Sequence, residues 1–256
     1  VLVTGAAKRI GRGIALGFAS RGWDVAVHFG ESERDARETV AEIAALGRRA
    51  VALQADLAVE AQVAALVPAC IEALGGLACV VNCASRFVED TAQDFGYAKL
   101  LEMTAVNLAA PLTLARALYE TVPEAAVEDE KQRGVVINVL DQKLYNMNPD
   151  YLSYTLTKAA LDNATVALAQ ALAPKLRVVG LAPGLTMISA GQTPAAFEAA
   201  HRVTPLGRAS RVEDLAEAAC YLATAHGVTG TTLVVDGGQH LVPSPRDVMF
   251  IIGNQH

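Results

Sequence analysis

Short apolar runs alternate along this chain with longer amphipathic stretches. The runs Val1–Thr4, Asp24–Phe29, Arg49–Gln54, Ala78–Asn82, Gly134–Leu140, Arg177–Ala182 and Thr232–Val235 are brief and apolar, which predicts buried strands. Between them, Ile10–Arg21, Glu33–Leu46, Ala61–Leu74, Leu100–Tyr119, Tyr151–Leu172 and Val212–Ala223 predict helices. Strand–helix alternation implies right-handed βαβ units, hence an α/β fold with a doubly wound parallel sheet and helices on both faces. No linker, repeat or low-complexity tract divides residues 1–256, so one domain is expected. Ala125–Arg133 is polar and acidic and reads as a solvated connector. Residues 184–210 form the longest irregular stretch and carry Pro194 and Pro205; a loop of that length in a compact domain suggests a lid or a substrate-binding segment.

Composition then narrows the class. Hydrophobic residues make up 52% and charged residues 19% of the chain, which excludes disorder. No apolar run approaches the ~18 residues of a membrane span, and no cationic, apolar leader is present. The net charge is -6 with no Lys/Arg cluster, so nucleic acid and anionic membrane are not expected as partners. Cys70, Cys79, Cys83 and Cys220 have no Cys-x-x-Cys spacing and lie in apolar stretches. They read as reduced core residues of a cytoplasmic protein, not as disulfides or metal ligands. The histidines form no His-Glu-x-x-His pattern, so no metal is expected, and no Gly-x-Ser-x-Gly marks a serine hydrolase.

The strongest chemical signal is Tyr154 with Lys158. Four residues apart in a predicted helix, they share a face, one turn apart. A nearby ammonium favours the phenolate and is expected to lower the phenol pKa. A Tyr so tuned could pass a proton to a carbonyl or imine while a cofactor supplies hydride. Tyr-x-x-x-Lys also arises by chance in helices, so its setting matters. Gly5-Ala-Ala-Lys-Arg-Ile-Gly11 joins the first strand to the first helix. Glycines there allow close backbone approach, and a helix start offers free N–H groups to a pyrophosphate. Ligands of open parallel sheets bind at the carboxyl ends of strands. Five segments reach that edge: Gly5–Gly11, Asp56, Asn82–Phe87, Asp141 and Pro183-Gly184.

Thr4-Gly5, Ala55-Asp56-Leu57, Asn82-Cys83-Ala84, Asn107, Tyr154/Lys158, Pro183-Gly184, and Val228-Thr229-Gly230 with Val235-Asp236-Gly237-Gly238 together resemble the short-chain dehydrogenase/reductase family over the whole length. The resemblance implies a Rossmann-like sheet of about seven strands, a nicotinamide cofactor and a homotetramer. It implies that Tyr154 is the acid/base and that Lys158 binds the nicotinamide ribose and lowers the Tyr pKa. Asn107 would hold a water linking Lys158 to solvent. Asp56 and Leu57 would contact adenine, and Asn82 and Ala84 would line the cofactor cleft. The wider cofactor set is Gly5, Lys8, Arg9, Ile10, His28, Phe29, Ser32, Ser85, Pro183 and Gly184.

Departures from the family pattern sharpen the reading. Asp141 stands where the family usually has Ser, thirteen positions before Tyr154, and Arg9 replaces the middle glycine of the first turn. With Phe87 just past the Asn82 turn, these changes are similar to the pteridine reductases and the bacterial dihydromonapterin reductases. A pterin is flat and rich in ring nitrogen; Phe87 would stack on it, Arg9 and Ser85 would contact it, and Asp141 with Tyr154 would relay a proton to a ring nitrogen. An ionised Asp141 would oppose the lowering of the Tyr pKa, so Asp141 is expected to be protonated when it works. Glu31 leans towards NAD, whereas Lys8, Arg9, His28 and Ser32 lean towards the 2′-phosphate of NADP; the balance favours NADP(H). The expected activity is reduction of a dihydropterin to the tetrahydro form. The alternatives are reduction of an ordinary ketone or 3-oxoacyl thioester, and a cofactor-binding regulator without turnover, against which Asn107, Tyr154 and Lys158 argue.

Overall fold

The computed structural model describes residues 1–188, 193–202, 204–208, 210–247 and 250. Seven parallel strands form one sheet: β1 (Leu2–Val3), β2 (Val25–Phe29), β3 (Ala50–Gln54), β4 (Cys79–Asn82), β5 (Gly134–Val139), β6 (Leu176–Pro183) and β7 (Thr232–Val235). Their order is β3-β2-β1-β4-β5-β6-β7. The direction of winding reverses between β1 and β4, where a crevice must open because neighbouring crossovers leave on opposite faces.

Side chains alternate across the sheet with the period of a strand. Val3, Val25, Val27, Cys79, Val81, Val135 and Ile137 join one buried cluster, covered by α1 (Arg9–Ser20), α2 (Glu33–Ala45) and α8 (Val212–Thr224). Leu2, Ala26, Val80 and Val136 join the other, covered by α3 (Glu60–Leu74), α5 (Ala110–Thr121) and α6 (Leu152–Leu172). Both faces are thus apolar, which is why the strands read as unbroken hydrophobic runs.

Two elements differ from the sequence-based expectation. The helix expected over Leu100–Tyr119 is α4 (Tyr97–Thr104) and α5, joined by a π turn at Ala105–Ala109. Pro111 has no N–H to give to the Asn107 carbonyl four residues earlier, so regular α pairing cannot continue there. Within the stretch expected to be irregular, Pro194–Arg202 forms α7. Pro194 suits the first helical position and the alanines that follow favour a helix. Residues 189–192, 203 and 209 of that stretch lie outside the described residues. Among the described residues, no helix is long and apolar enough to cross a membrane.

Candidate active site

A cavity of about 470 Å³ lies at the carboxyl edge of the sheet, at the switch point. Its wall comes from the ends of β1 (Gly5), β4 (Cys83, Ala84, Ser85), β5 (Asp141, Gln142) and β6 (Pro183, Gly184). Tyr154 and Lys158 of α6 reach it from one side, and Lys8, Arg9 and Ile10 at the start of α1 from another.

The turn after β1 is shaped for close backbone approach. Gly5 has φ +65°, and a Cβ there would sit 3.0 Å from the Ala84 Cα. A Cβ on Gly11 would lie 2.3 Å from the Gly5 carbonyl oxygen, so both positions require glycine. α1 opens beyond Lys8 with no side-chain cap. Its first-turn N–H groups and positive dipole end therefore suit the pyrophosphate of a dinucleotide. Thr4 fixes the facing turn: its hydroxyl accepts the N–H groups of Cys83 and Ala84, each at 3.0 Å. Arg9 has φ +54°, uncommon for a residue with a Cβ, and its guanidinium donates to the Ile188 carbonyl at 3.0 Å. Lys8 pairs with Asp35 at 3.1 Å.

His28, expected near a cofactor phosphate, is buried and fully engaged. Its Nδ1 accepts the Gly5 N–H at 3.1 Å, so its Nε2 must carry the proton donated to the Ala55 carbonyl, also at 3.1 Å. Burial lowers its pKa, which suits this neutral tautomer. No ring atom is left for a phosphate; instead the imidazole ties the glycine turn to the end of β3. His28→Leu would strand a buried donor and a buried acceptor. We expect a loss of about 1–3 kcal/mol per stranded group and weaker dinucleotide binding, read by thermal melts with and without cofactor. An unchanged melting temperature would mean that the bridge contributes nothing.

Phe29 and Leu57 are buried, Ser32 is half-buried and Asp56 is exposed. All four lie outside the cavity wall, at the β2 and β3 side of the turn. The Asp56 carboxylate accepts the Ala58 N–H, and its backbone N–H donates to Gln62. Asn82 is buried; its amide donates to Asn138, which donates to Thr165, a chain of polar contacts linking β4, β5 and α6.

Tyr154 and Asp141 meet directly. The phenol donates to Asp141 Oδ2 at 2.8 Å, and the Lys143 N–H donates to Asp141 Oδ1 at 2.8 Å. Burial pushes the Asp141 carboxyl up, against the opposing pull of those two donors and of Lys158. Burial, then the Asp141 carboxylate, pushes the Tyr154 phenol well above its ordinary value. The expected lowering of the phenol is therefore reversed: Lys158 Nζ lies 5.8 Å from the centre of the Tyr154 ring and donates instead to the Val139 carbonyl at 2.6 Å. Burial lowers the Lys158 ammonium pKa. The trio can thus hold and exchange protons, with the phenol as a reservoir.

α6 is anchored from a distance. Asp90, wholly buried, accepts the Ser153 N–H at 3.0 Å and the Ser153 hydroxyl at the helix start, where a carboxylate complements the dipole. Asn107 is also buried. Its Oδ1 accepts the Arg86 N–H (2.7 Å) and the Ser85 hydroxyl (3.2 Å), while its Nδ2 donates to the Arg86 carbonyl and Thr157. The side chain, fully committed to these partners, holds the loop after β4 against α6. Phe87, 46% exposed, stacks on Tyr151 at 4.2 Å and meets the Tyr154 ring edge-on at 4.6 Å.

Several residues in or beside the wall carried no motif. Tyr151 adopts φ +53° at the start of α6, a conformation that strains an aromatic residue. Gln142 and Asp247 also line the cavity. Cys83 packs against the core, as expected, and also lines the cavity; burial pushes its thiol up to about 11 and so suppresses nucleophilicity.

Comparison with known proteins fits this geometry. A model of the enoyl-(acyl carrier protein) reductase family matches residues 5–240. 3beta-hydroxysteroid dehydrogenase 1 of Eggerthella lenta is 34% identical over 250 residues, covering 95% of this chain and 94% of that protein. Pteridine reductase 1 of Leishmania tarentolae is 30% identical over 276 residues, covering 94% of this chain and 96% of that protein. The crystal structure of FolM alternative dihydrofolate reductase 1 from Brucella canis, complexed with NADP, is 38% identical with a TM-score of 0.88, covering 96% of this chain and 95% of that one. With its sheet order, glycine turn and Tyr154/Lys158 pair, the chain belongs to the short-chain dehydrogenase/reductase family of oxidoreductases.

Proposed function

We propose that this protein reduces a dihydropterin to the tetrahydropterin with NADPH. The observation that carries the reading is the 2.8 Å contact between the Tyr154 phenol and Asp141 in a cavity wall. Reduction of a C=N bond puts hydride on carbon and a proton on nitrogen. The dinucleotide, when bound, supplies the hydride. A carboxyl raised by burial can hold a proton nearer neutral pH and hand it to a ring nitrogen. As Asp141 gives up its proton, Tyr154 passes its own along the hydrogen bond they share, and solvent protons then restore the phenol. Lys158 gives one of its three N–H bonds to Val139, leaving two for ribose hydroxyls. A water on the Asn107 backbone carbonyl would connect Lys158 with solvent. Gly5, Ile10, Ala84, Pro183 and Gly184 would line the dinucleotide, with Asp56 and Leu57 beside the adenine. Arg9, Ser85 and the free face of Phe87 would meet the pterin. Leu185, Thr186 and Met187 of the wall would close over it.

The pteridine reductase and FolM relatives support this class of substrate, and the NADP in the FolM structure supports the cofactor. The hydroxysteroid dehydrogenase relative favours a second reading, reduction of an ordinary ketone. A steroid or acyl chain needs an apolar channel; with Lys8 and Lys158 given to the dinucleotide, the wall still carries Arg9, Asp141 and Asp247 beside Phe87 and Met187. NADPH oxidation measured in parallel with dihydrobiopterin, dihydromonapterin and acetoacetyl thioester tests the assignment. Turnover of the pterins above the thioester is expected; the reverse order would favour the ketone reading.

Cofactor choice has its own test. Lys8, 53% exposed on its side chain, can turn from Asp35 to a 2′-phosphate. Lys8→Ala should weaken NADPH binding about tenfold and leave NADH nearly unchanged, as expected for one charge-assisted contact. Equal losses for both cofactors in titrations would mean that Lys8 only shapes the turn.

A further inference from the structure

The chain beyond β7 returns to the cavity. The Val242 carbonyl accepts the Asn146 amide at 2.6 Å, and the Ser244 N–H donates back to Asn146 at 3.4 Å. Arg246 Nε contacts both oxygens of the buried Asp150 carboxylate at 2.8 and 2.9 Å. That carboxylate also accepts the Asp247 N–H at 2.6 Å. Phe250 stacks over Tyr151 at 6.0 Å. Five hydrogen bonds and one ring contact thus hold this segment against the loop after β5. They bring the Asp247 carboxylate into the cavity wall, 3.9 Å from the buried Lys143 ammonium.

The carboxyl groups of the wall gather on one side, although Lys158 lines it too. Lys8 and Arg9 follow β1, while Asp141 follows β5, two strands further along the sheet, and Asp247 stands beside Lys143 on the same side. Phosphates suit the first side. The second suits a ligand rich in N–H donors. A 2-amino-4-oxo pyrimidine edge carries an amino group and a ring N–H side by side, with the parallel geometry by which a guanidinium meets a carboxylate. A ketone or thioester carries only acceptors, which a carboxylate repels.

We propose that Asp247 recognises the substrate by accepting the paired N–H donors of a 2-amino-4-oxo pyrimidine edge. The proposal rests on the dihydropterin reading and adds the residue that selects for it. The ion pair with Lys143 is compatible with this role, because a carboxylate has about four acceptor sites.

The test compares 7,8-dihydrobiopterin with its 2-desamino analogue on the parent enzyme and on Asp247→Asn, which keeps the side-chain size. The parent should prefer the amino compound about tenfold or more in kcat/KM, as a charge-assisted pair implies. Asp247→Asn should lose most of that preference through KM, with NADPH affinity unchanged. Asp247→Glu should recover part of it. If Asp247→Asn weakens both compounds equally, or keeps the preference, the carboxylate only holds Lys143 and the returning segment, and the proposal fails while the dihydropterin reading stands. If the parent turns over neither pterin but reduces ketones, the dihydropterin reading fails and this proposal with it.

Discussion

Tyr154→Phe is expected to cut turnover by roughly 10²–10⁴-fold, the contribution of a positioned general acid, with dinucleotide affinity intact. The substitution removes one oxygen and leaves the ring. That ring packs with Met103 and Tyr151 and lies edge-on to Phe87, so the fold should be preserved. What is lost is the proton that the phenol donates to Asp141. Burial has already raised the Asp141 carboxyl, and loss of the phenolic donor should raise it further. A phenylalanine variant that kept more than a tenth of the parent rate would remove Tyr154 from the proton path.

Asp141→Ser should have the second largest effect. The smaller residue keeps a hydrogen-bonding oxygen near Tyr154 but cannot deliver a proton from a carboxyl group. Dihydropterin turnover should fall by about 10²-fold or more, while reduction of a simple ketone holds or improves. The pH dependence should change as well. Reduction by the parent needs a protonated relay, so its rate should fall as pH rises through the elevated pKa of the Asp141–Tyr154 pair. That apparent value belongs to the coupled group, not to one residue. In the serine variant this limb should move or vanish.

Stability gives an independent readout. Asp141 binds its proton more tightly in the folded protein than in the unfolded chain. Its ionisation therefore costs stability as pH rises from the ordinary carboxylate value through the folded one. Asp141→Ser should consequently melt higher than the parent at neutral pH, with the gain shrinking towards acid. A serine variant that matched the parent on dihydropterins would show that Asp141 is no relay.

Much of the architecture was legible because both sheet faces are covered. Val25–Val27 and Val135–Ile137 read as apolar runs for that reason, and the strands that hold them were placed to within a residue or two. The site's polar residues follow strand ends, and a parallel sheet gathers strand ends on one edge whatever the detail of the loops. Four things resisted this reasoning. α7 was hidden because Pro194 punctuates a loop and begins a helix with equal ease. His28 shares a strand end with cofactor-binding positions, but its two ring nitrogens find partners 23 and 27 residues away, at distances in sequence that no local pattern encodes. The phenol of Tyr154 was expected to follow the nearby lysine. Burial outweighs that charge, and Lys158 spends its hydrogen bond on β5. Asp247 left no trace in the sequence because its position depends on contacts with Asp150, nearly a hundred residues earlier.

Product identification under anaerobic conditions is the most direct measurement. The protein is incubated with NADPH and 7,8-dihydrobiopterin, and the reduced pterins are separated and quantified. One tetrahydrobiopterin per NADPH oxidised, lost in Tyr154→Phe and strongly diminished in Asp141→Ser, is the predicted result. NADPH oxidation by ketones or thioesters with no tetrahydropterin formed from any dihydropterin would contradict it.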